Sequence, residues 1–178
     1  MRHVPNTLSV LRCLAVLVLA VLMLDPGTRL AALLVFVAAA VTDWFDGYLA
    51  RRFDVVSDFG RMLDPIADKL LVAVALLMVA ADGTIAGVHV LAAALILMRE
   101  FAISGLREHL APQGIIVPAS LAGKAKAMAQ MVALALLIAA PLVPVPGVAA
   151  VGLAVLWIAA ALTVLSGAQY AWGARRSF

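Results

Sequence analysis

Four aspartates, Asp43, Asp46, Asp64 and Asp68, stand close together in an otherwise apolar chain, in the stretch DWFDGYLARRFDVVSDFGRMLDPIADK. Carboxylates alone, with neither His nor Cys among them, are hard oxygen donors that suit Mg²⁺, Mn²⁺ or Ca²⁺ rather than zinc. If the apolar run before them continues as a helix, Asp43, Asp46, Gly47 and Ala50 fall at i, i+3, i+4 and i+7, one stripe down one face. Gly60, Asp64 and Asp68 repeat at fours and share a face of the next helix. Two antiparallel helices joined by a short basic loop would bring the four acids to one end. Left alone at the edge of hydrocarbon they would repel one another, at a cost on the order of several kcal/mol for each buried charge. A divalent cation removes that repulsion. Gly47, Ala50 and Gly60 leave room for a broad ligand near the backbone, and Arg51 adds a planar donor fork beside the metal. Metal plus arginine suits a phosphate or pyrophosphate.

Plainer readings compete for single residues. Asp64 followed by Pro65 is how a helix often begins, with an aspartate N-cap and a proline in the first turn. Asp54 and Asp58 read as a solvated loop, and Gly47 and Ala50 alone would be packing contacts between membrane helices. Four acids, two glycines and an arginine in register exceed what packing requires.

The elements that must carry these residues are membrane helices. Of the 178 residues 66% are hydrophobic and 13% charged, and mean hydropathy is +1.12, which makes an integral membrane protein of the all-α class. About twenty helical residues cross a bilayer core, so the chain has room for a bundle of six transmembrane helices and no separate soluble domain. The expected spans are 8–24, 30–48, 62–81, 85–106, 121–142 and 147–168, within one domain over 1–178. They are broken by Asp25-Pro26-Gly27, Asp82-Gly83, Pro112 with Gly114, and Pro141 to Gly147. The Gly83 and Gly87 spacing is at most a weak helix-contact motif. With alternating spans, Arg2, Arg12, Arg51, Arg52, Arg61, Lys69, Arg107, Lys124, Lys126, Arg175 and Arg176 gather at one side, Arg29 falls on the other and Arg99 lies within the fourth span. By the positive-inside rule both termini and the acids face the cytoplasm. The net charge of +3 is accounted for by this asymmetry and by anionic lipid heads, so no nucleic-acid partner is needed. The N-terminal apolar run does not read as a cleaved signal, because Arg12 interrupts it and no small-x-small site follows Leu24. Cys13, the one cysteine, forms no disulfide within the chain.

The spacing DxxDGxxARx8Gx3Dx3D, formed by Asp43, Asp46, Gly47, Ala50, Arg51, Gly60, Asp64 and Asp68, resembles the motif of the CDP-alcohol phosphotransferases, membrane enzymes that join a CDP-linked lipid to an alcohol and release CMP. The segments PNTLSVLR at 5–12, TDWFDGYLARR at 42–52, LDPIADKL at 63–70, REFAISGLREHLA at 99–111 and GKAKAMAQM at 123–131 narrow the likeness to bacterial members that use CDP-diacylglycerol and glycerol 3-phosphate. The resemblance implies six transmembrane helices, a homodimer in the inner membrane and a site at the cytoplasmic surface. It further implies that Asp43, Asp46, Asp64 and Asp68 hold two Mg²⁺ or Mn²⁺ ions, with Asp68 also the general base. Asn6, Thr7, Gly47, Ala50, Arg51, Ser57 and Gly60 would bind the CDP-lipid.

A phosphorylated acceptor needs cations beyond the metal site, for which Arg99, Arg107, Lys124 and Lys126 are the candidates. Lys124 and Lys126 are separated by roughly 200° around a helix and cannot both point straight at one ligand. Arg99 lies deep enough to need a partner, with Glu100 its neighbour, and Glu100, Ser104 and Arg107 share a helical face. Tyr170 and Trp172 suit an interfacial belt; His3, His89 and His109 are scattered and carry no catalytic assignment. Another acceptor, such as inositol phosphate, serine or phosphatidylglycerol, is the alternative within the family. A divalent-cation transporter would spread acids across the membrane depth, whereas here they gather at one end beside Arg51.

Overall fold

The computed structural model describes residues 4–53, 58–113 and 121–175, with the backbone alone for 4–10, 43–53, 58–65, Asp68 and Ala174. The described residues form six α-helices with no strand among them: α1 (Val4–Met23), α2 (Arg29–Phe53), α3 (Asp58–Ala81), α4 (His89–Leu110), α5 (Leu121–Ala139) and α6 (Val148–Arg175). A helix satisfies its own backbone donors and acceptors, which is what an apolar solvent demands. Among the described residues three helical stretches, His89–Gln113, Leu121–Leu142 and Val148–Gly173, are long and apolar enough to cross a membrane.

The breaks fall where the sequence places turn chemistry. Asp25 caps a short 3₁₀ turn over Pro26–Thr28 by accepting from the Gly27 N–H at 2.9 Å. Gly83 and Gly87 are not a helix contact: both have positive φ, 82° and 55°, and they shape the turn between α3 and α4. Gly147, at φ 97°, does the same work before α6. Two helices outrun their apolar cores. α2 continues to Phe53 rather than ending near Tyr48, and α3 begins at Asp58, earlier than the apolar run at Met62. Asp58 therefore belongs to a helix, not a loop, and Asp64 is six residues inside α3, which removes its N-cap reading. Pro65, also inside, has no N–H to give to the Arg61 carbonyl.

α1 packs on α2 and α3, α4 packs on α6, and α5 packs closely along α6 while also touching α2 and α3. α5 thus joins the helices that carry the acids to α6, on which α4 with Arg99 and Glu100 packs. The core is mainly apolar, with Leu19, Phe36, Leu71, Leu76, Ile96, Leu134, Leu137 and Leu156 fully enclosed. The outer surface is apolar too, from Leu17 and Val21 to Leu91, Met98, Phe101 and Val151, as expected of helices bathed in lipid rather than water. Gly152 makes the α5–α6 approach possible, since a Cβ there would stand 2.9 Å from Leu137 Cδ2 and 3.3 Å from Leu136 Cβ.

Candidate active site

Two polar clusters mark opposite ends of the bundle. At one end Arg29, which begins α2, pairs with Asp82 after α3 and donates through Nε to the Ile138 carbonyl of α5 at 3.1 Å. This buried arginine is the one cation expected on the far side. A charge there is tolerated because it is neutralised and spans three helix ends. Near the same end, Trp157 Nε1 donates to His89 Nδ1 at 3.0 Å, tying α6 to the start of α4.

The acids lie toward the other end. Asp43 stands ten residues before the end of α2 and Asp68 ten residues after the start of α3, about 15 Å along each helix at 1.5 Å per residue. Their helices run continuously through these positions, so Asp43, Asp46, Gly47 and Ala50 share one face of α2, and Gly60, Asp64 and Asp68 one face of α3. Arg51 is on the last turn of α2, while Asn6 and Thr7 are in the first turn of α1. Ser57 lies outside the described residues. Among the described side chains no three of His, Cys, Asp and Glu converge on one point; the side chains of the four aspartates are not among them. As a donor set, four carboxylates paired on two neighbouring helices fit a hard divalent ion and would not fit a soft one.

Glu100 stands ten residues before the end of α4. Around it the structure brings together two of the four acceptor candidates. Lys126 of α5, 6% exposed, pairs through Nζ with Glu100 Oε1. Arg99 Nη1 lies 3.6 Å from the same oxygen, and its Nη2 donates to Ser166 Oγ of α6 at 3.2 Å. Ser166 in turn donates to the Thr163 carbonyl at 3.1 Å. Buried cations are tolerated only when partnered in this way. The other two candidates stay apart from this group. Lys124 is exposed, and Arg107, also exposed, sits over the Tyr170 ring with its guanidinium carbon 5.7 Å from the centroid. Tyr170 itself is buried, with Arg107 over its ring. The shared face of Glu100, Ser104 and Arg107 does not form one network either: Ser104 Oγ faces Glu108 at 3.5 Å.

Sequence reasoning passes over Ser166, Thr163, Gln130 and Gly167. Thr163 and Ser166 are small polar residues three apart on an otherwise apolar helix, and Gln130 is one turn on from Lys126, so each carries a legible signal. Gly167 leaves space for the Arg99 stem, since a Cβ there would stand 3.1 Å from Arg99 Cγ. A separate groove of about 230 Å³ runs between α1 and α2, lined by Leu11, Ala15, Val35, Ala38 and Ala39 with Arg12 and Thr42.

Comparison with known proteins gives a consistent picture. Residues 2–165 match the family model described as CDP-alcohol phosphatidyltransferase. A protein of Rickettsia bellii is 40% identical over 179 residues, covering 99% of this chain and 97% of its own length. One from Rickettsia typhi is 42% identical over 176 residues, covering 96% of each chain. A third, from Sodalis glossinidius, is 42% identical over 177 residues, covering 97% of this chain and 95% of its own. All three are named CDP-diacylglycerol–glycerol-3-phosphate 3-phosphatidyltransferase.

Proposed function

The chain belongs to the CDP-alcohol phosphatidyltransferase family, and from that premise we propose that it transfers the phosphatidyl group of CDP-diacylglycerol to glycerol 3-phosphate. The products are phosphatidylglycerophosphate and CMP. The observation that carries this reading is the eight-position acidic motif on two consecutive helices, in a chain matched nearly end to end by relatives bearing that name. The convergence of Arg99 and Lys126 on Glu100 favours an acceptor that carries a phosphate.

The protein is a single domain with six membrane spans, both termini and the acidic end facing the cytoplasm. Lys and Arg asymmetry supports that orientation. Asp43, Asp46, Asp64 and Asp68 would hold two Mg²⁺ or Mn²⁺ ions. When bound, these ions supply Lewis acidity at the pyrophosphate and offset the charge of the departing CMP. Asn6, Thr7, Gly47, Ala50, Arg51, Ser57 and Gly60 seat the CDP-lipid. Asp68 takes the proton from the acceptor hydroxyl as its oxygen bonds to the phosphatidyl phosphorus and the phosphorus–oxygen bond to CMP breaks. Arg99 and Lys126 hold the acceptor's phosphate so that the hydroxyl is presented in line, with Arg107 and Lys124 guiding its approach. A homodimer in the inner membrane completes the reading.

The test is CMP release by purified protein with Mg²⁺ or Mn²⁺, comparing glycerol 3-phosphate, inositol phosphate, inositol and serine, with Asp68→Asn as control. Release with glycerol 3-phosphate alone, lost in the variant, is expected. Release with another alcohol would retain the family and overturn the acceptor; no release from folded protein would overturn the reaction.

A further inference from the structure

The groove between α1 and α2 opens beside the acidic motif. Val35, Ala39 and Thr42 stand on its α2 wall and Leu11 and Ala15 on its α1 wall, around a volume of about 230 Å³. On α2 these positions run directly into the motif. Val35, Ala39, Asp43, Asp46 and Ala50 follow one another at steps of three or four residues, so groove and acids occupy one face of one continuous helix. On α1, Thr7, Leu11 and Ala15 repeat at fours in the same way. Both helices that carry residues assigned to the CDP-lipid therefore extend that line of residues into the groove. Val35 lies eight residues from Asp43, about 12 Å along α2 at 1.5 Å per residue.

The lining suits hydrocarbon. Alanine and valine form most of the α2 wall, and the hydroxyl there, that of Thr42, donates to the Ala38 carbonyl at 2.6 Å. Its hydrogen is used within its own helix, so that wall leaves no donor waiting for a ligand. Arg12 borders the groove and is itself buried. Nearby Leu14, Leu34, Val37 and Val41 project outward from the same two helices, and the groove lies where alanines replace such bulk. A helix, about 10 Å across with its side chains, is too broad to enter a space between two packed helices. A polymethylene chain is narrow enough. A diacyl lipid with its pyrophosphate at the acids has both chains attached within a few bonds of that point, and both must leave toward hydrocarbon. A groove that begins at the next residue on the same helix gives one of them a fixed path.

We propose that this groove seats one fatty acyl chain of CDP-diacylglycerol, with Ala15, Ala38 and Ala39 setting what chain it admits, while the other chain remains in the surrounding lipid. This rests on the reading that the four aspartates receive the pyrophosphate of that lipid. The hydrocarbon outside is as apolar as the groove, so burial alone contributes little. What the groove supplies is orientation. A chain laid along the acid-bearing face keeps the phosphatidyl phosphorus from turning away and reduces what must be ordered before reaction. Bulk added inside the groove therefore acts on lipids long enough to enter it and spares those that are not.

The experiment offers the purified full-length protein two CDP-diacylglycerols at once in the same detergent micelles, one with butyryl and one with palmitoyl chains. It reads the ratio of their kcat/KM values with glycerol 3-phosphate in excess. Partition into micelles differs between the lipids but is the same for every variant, so a change in the ratio belongs to the protein. Ala38→Leu, at an exposed position on the rim, should shift the ratio about tenfold toward the short-chain lipid, the foot of the range for one misfitting group in an apolar pocket. Ala15→Leu should shift it the same way. Val37→Leu adds bulk to α2 beside the groove and not within it, and should leave the ratio as in wild type. A second measurement needs no variant. CDP-diacylglycerol with a diazirine at mid-chain, photolysed on wild-type protein, should label residues 11–15 and 35–42. Unlabelled CDP-diacylglycerol should suppress the label, and phosphatidylglycerol with the same chains should not. Equal suppression by both means that the groove holds bulk lipid only and overturns the proposal, as does an unchanged ratio in folded Ala38→Leu. CMP release from both lipids with either of those results leaves the reaction standing and removes the groove alone; no release from either lipid by folded wild-type protein overturns the reaction and the proposal with it.

Discussion

At the scale of single residues, the charged groups inside the bundle differ in what their loss should do. Arg29 is buried and shared between Asp82 and the Ile138 carbonyl, far along the chain from the acids. Asp82→Asn strands that guanidinium and should lower stability by about 3 kcal/mol, the foot of the range for breaking a buried pair because Asp82 is partly exposed. Thermal denaturation in detergent should show the loss, while CMP release at low temperature stays close to wild type. The acceptor candidates should separate by burial. Lys126→Gln is expected to raise KM for glycerol 3-phosphate strongly. Lys124→Gln and Arg107→Gln should raise it only a few-fold, on the order of what one solvent-screened charge contributes. Equal effects from all three would contradict the placement of Lys126 with Arg99.

At the scale of elements, the α5–α6 interface sets the position of Lys126 against α4. Gly152→Val would drive side-chain atoms into Leu137 and Leu136, so the thermal midpoint should drop by several degrees and KM for the acceptor should rise with it. Gly105→Ala is the matched control. No neighbour lies within 4 Å of a Cβ there, and replacing a mid-helix glycine should stabilise α4 by about 0.5–1 kcal/mol. The helices themselves are legible because a run of about twenty apolar residues has one stable backbone solution in lipid. Their ends are less so. The last turns of α2 and the first of α3 carry Arg51, Arg52, Asp58 and Arg61, and hydropathy goes silent where a helix leaves hydrocarbon. The Asp64-Pro65 pair misleads for the same reason: it mimics a helix start at the point where the apolar run begins. The acidic face of the candidate site, two aspartates on one face of α2 and two on one face of α3, is legible as a helix register because its spacing is local. The basic face is not, since Lys126 meets Glu100 across 26 positions and Arg99 meets Ser166 across 67, distances over which periodicity carries no information.

At the scale of the whole molecule, orientation is the claim most open to direct measurement. In a Cys13→Ser background, Val145→Cys, in the exposed turn before α6, should react with a membrane-impermeant thiol reagent in intact cells. Gln113→Cys, after α4, should react only once the cells are opened. The reverse pattern would invert the protein and move the acids to the outer face. The polar cluster on α4 also bears on how the chain is made. α4 enters the membrane with Arg99 and Glu100 at its middle, and a central arginine alone costs about 2.5–3.5 kcal/mol on insertion. The lysine that answers Glu100 and the serine that answers Arg99 are synthesised later, the serine 67 residues on, or roughly 3–13 s at ordinary translation rates. During that interval α4 is a half-finished span, committed to lipid only when α5 and α6 arrive, so the residues proposed to hold the acceptor also set the order in which the protein is assembled at the translocon.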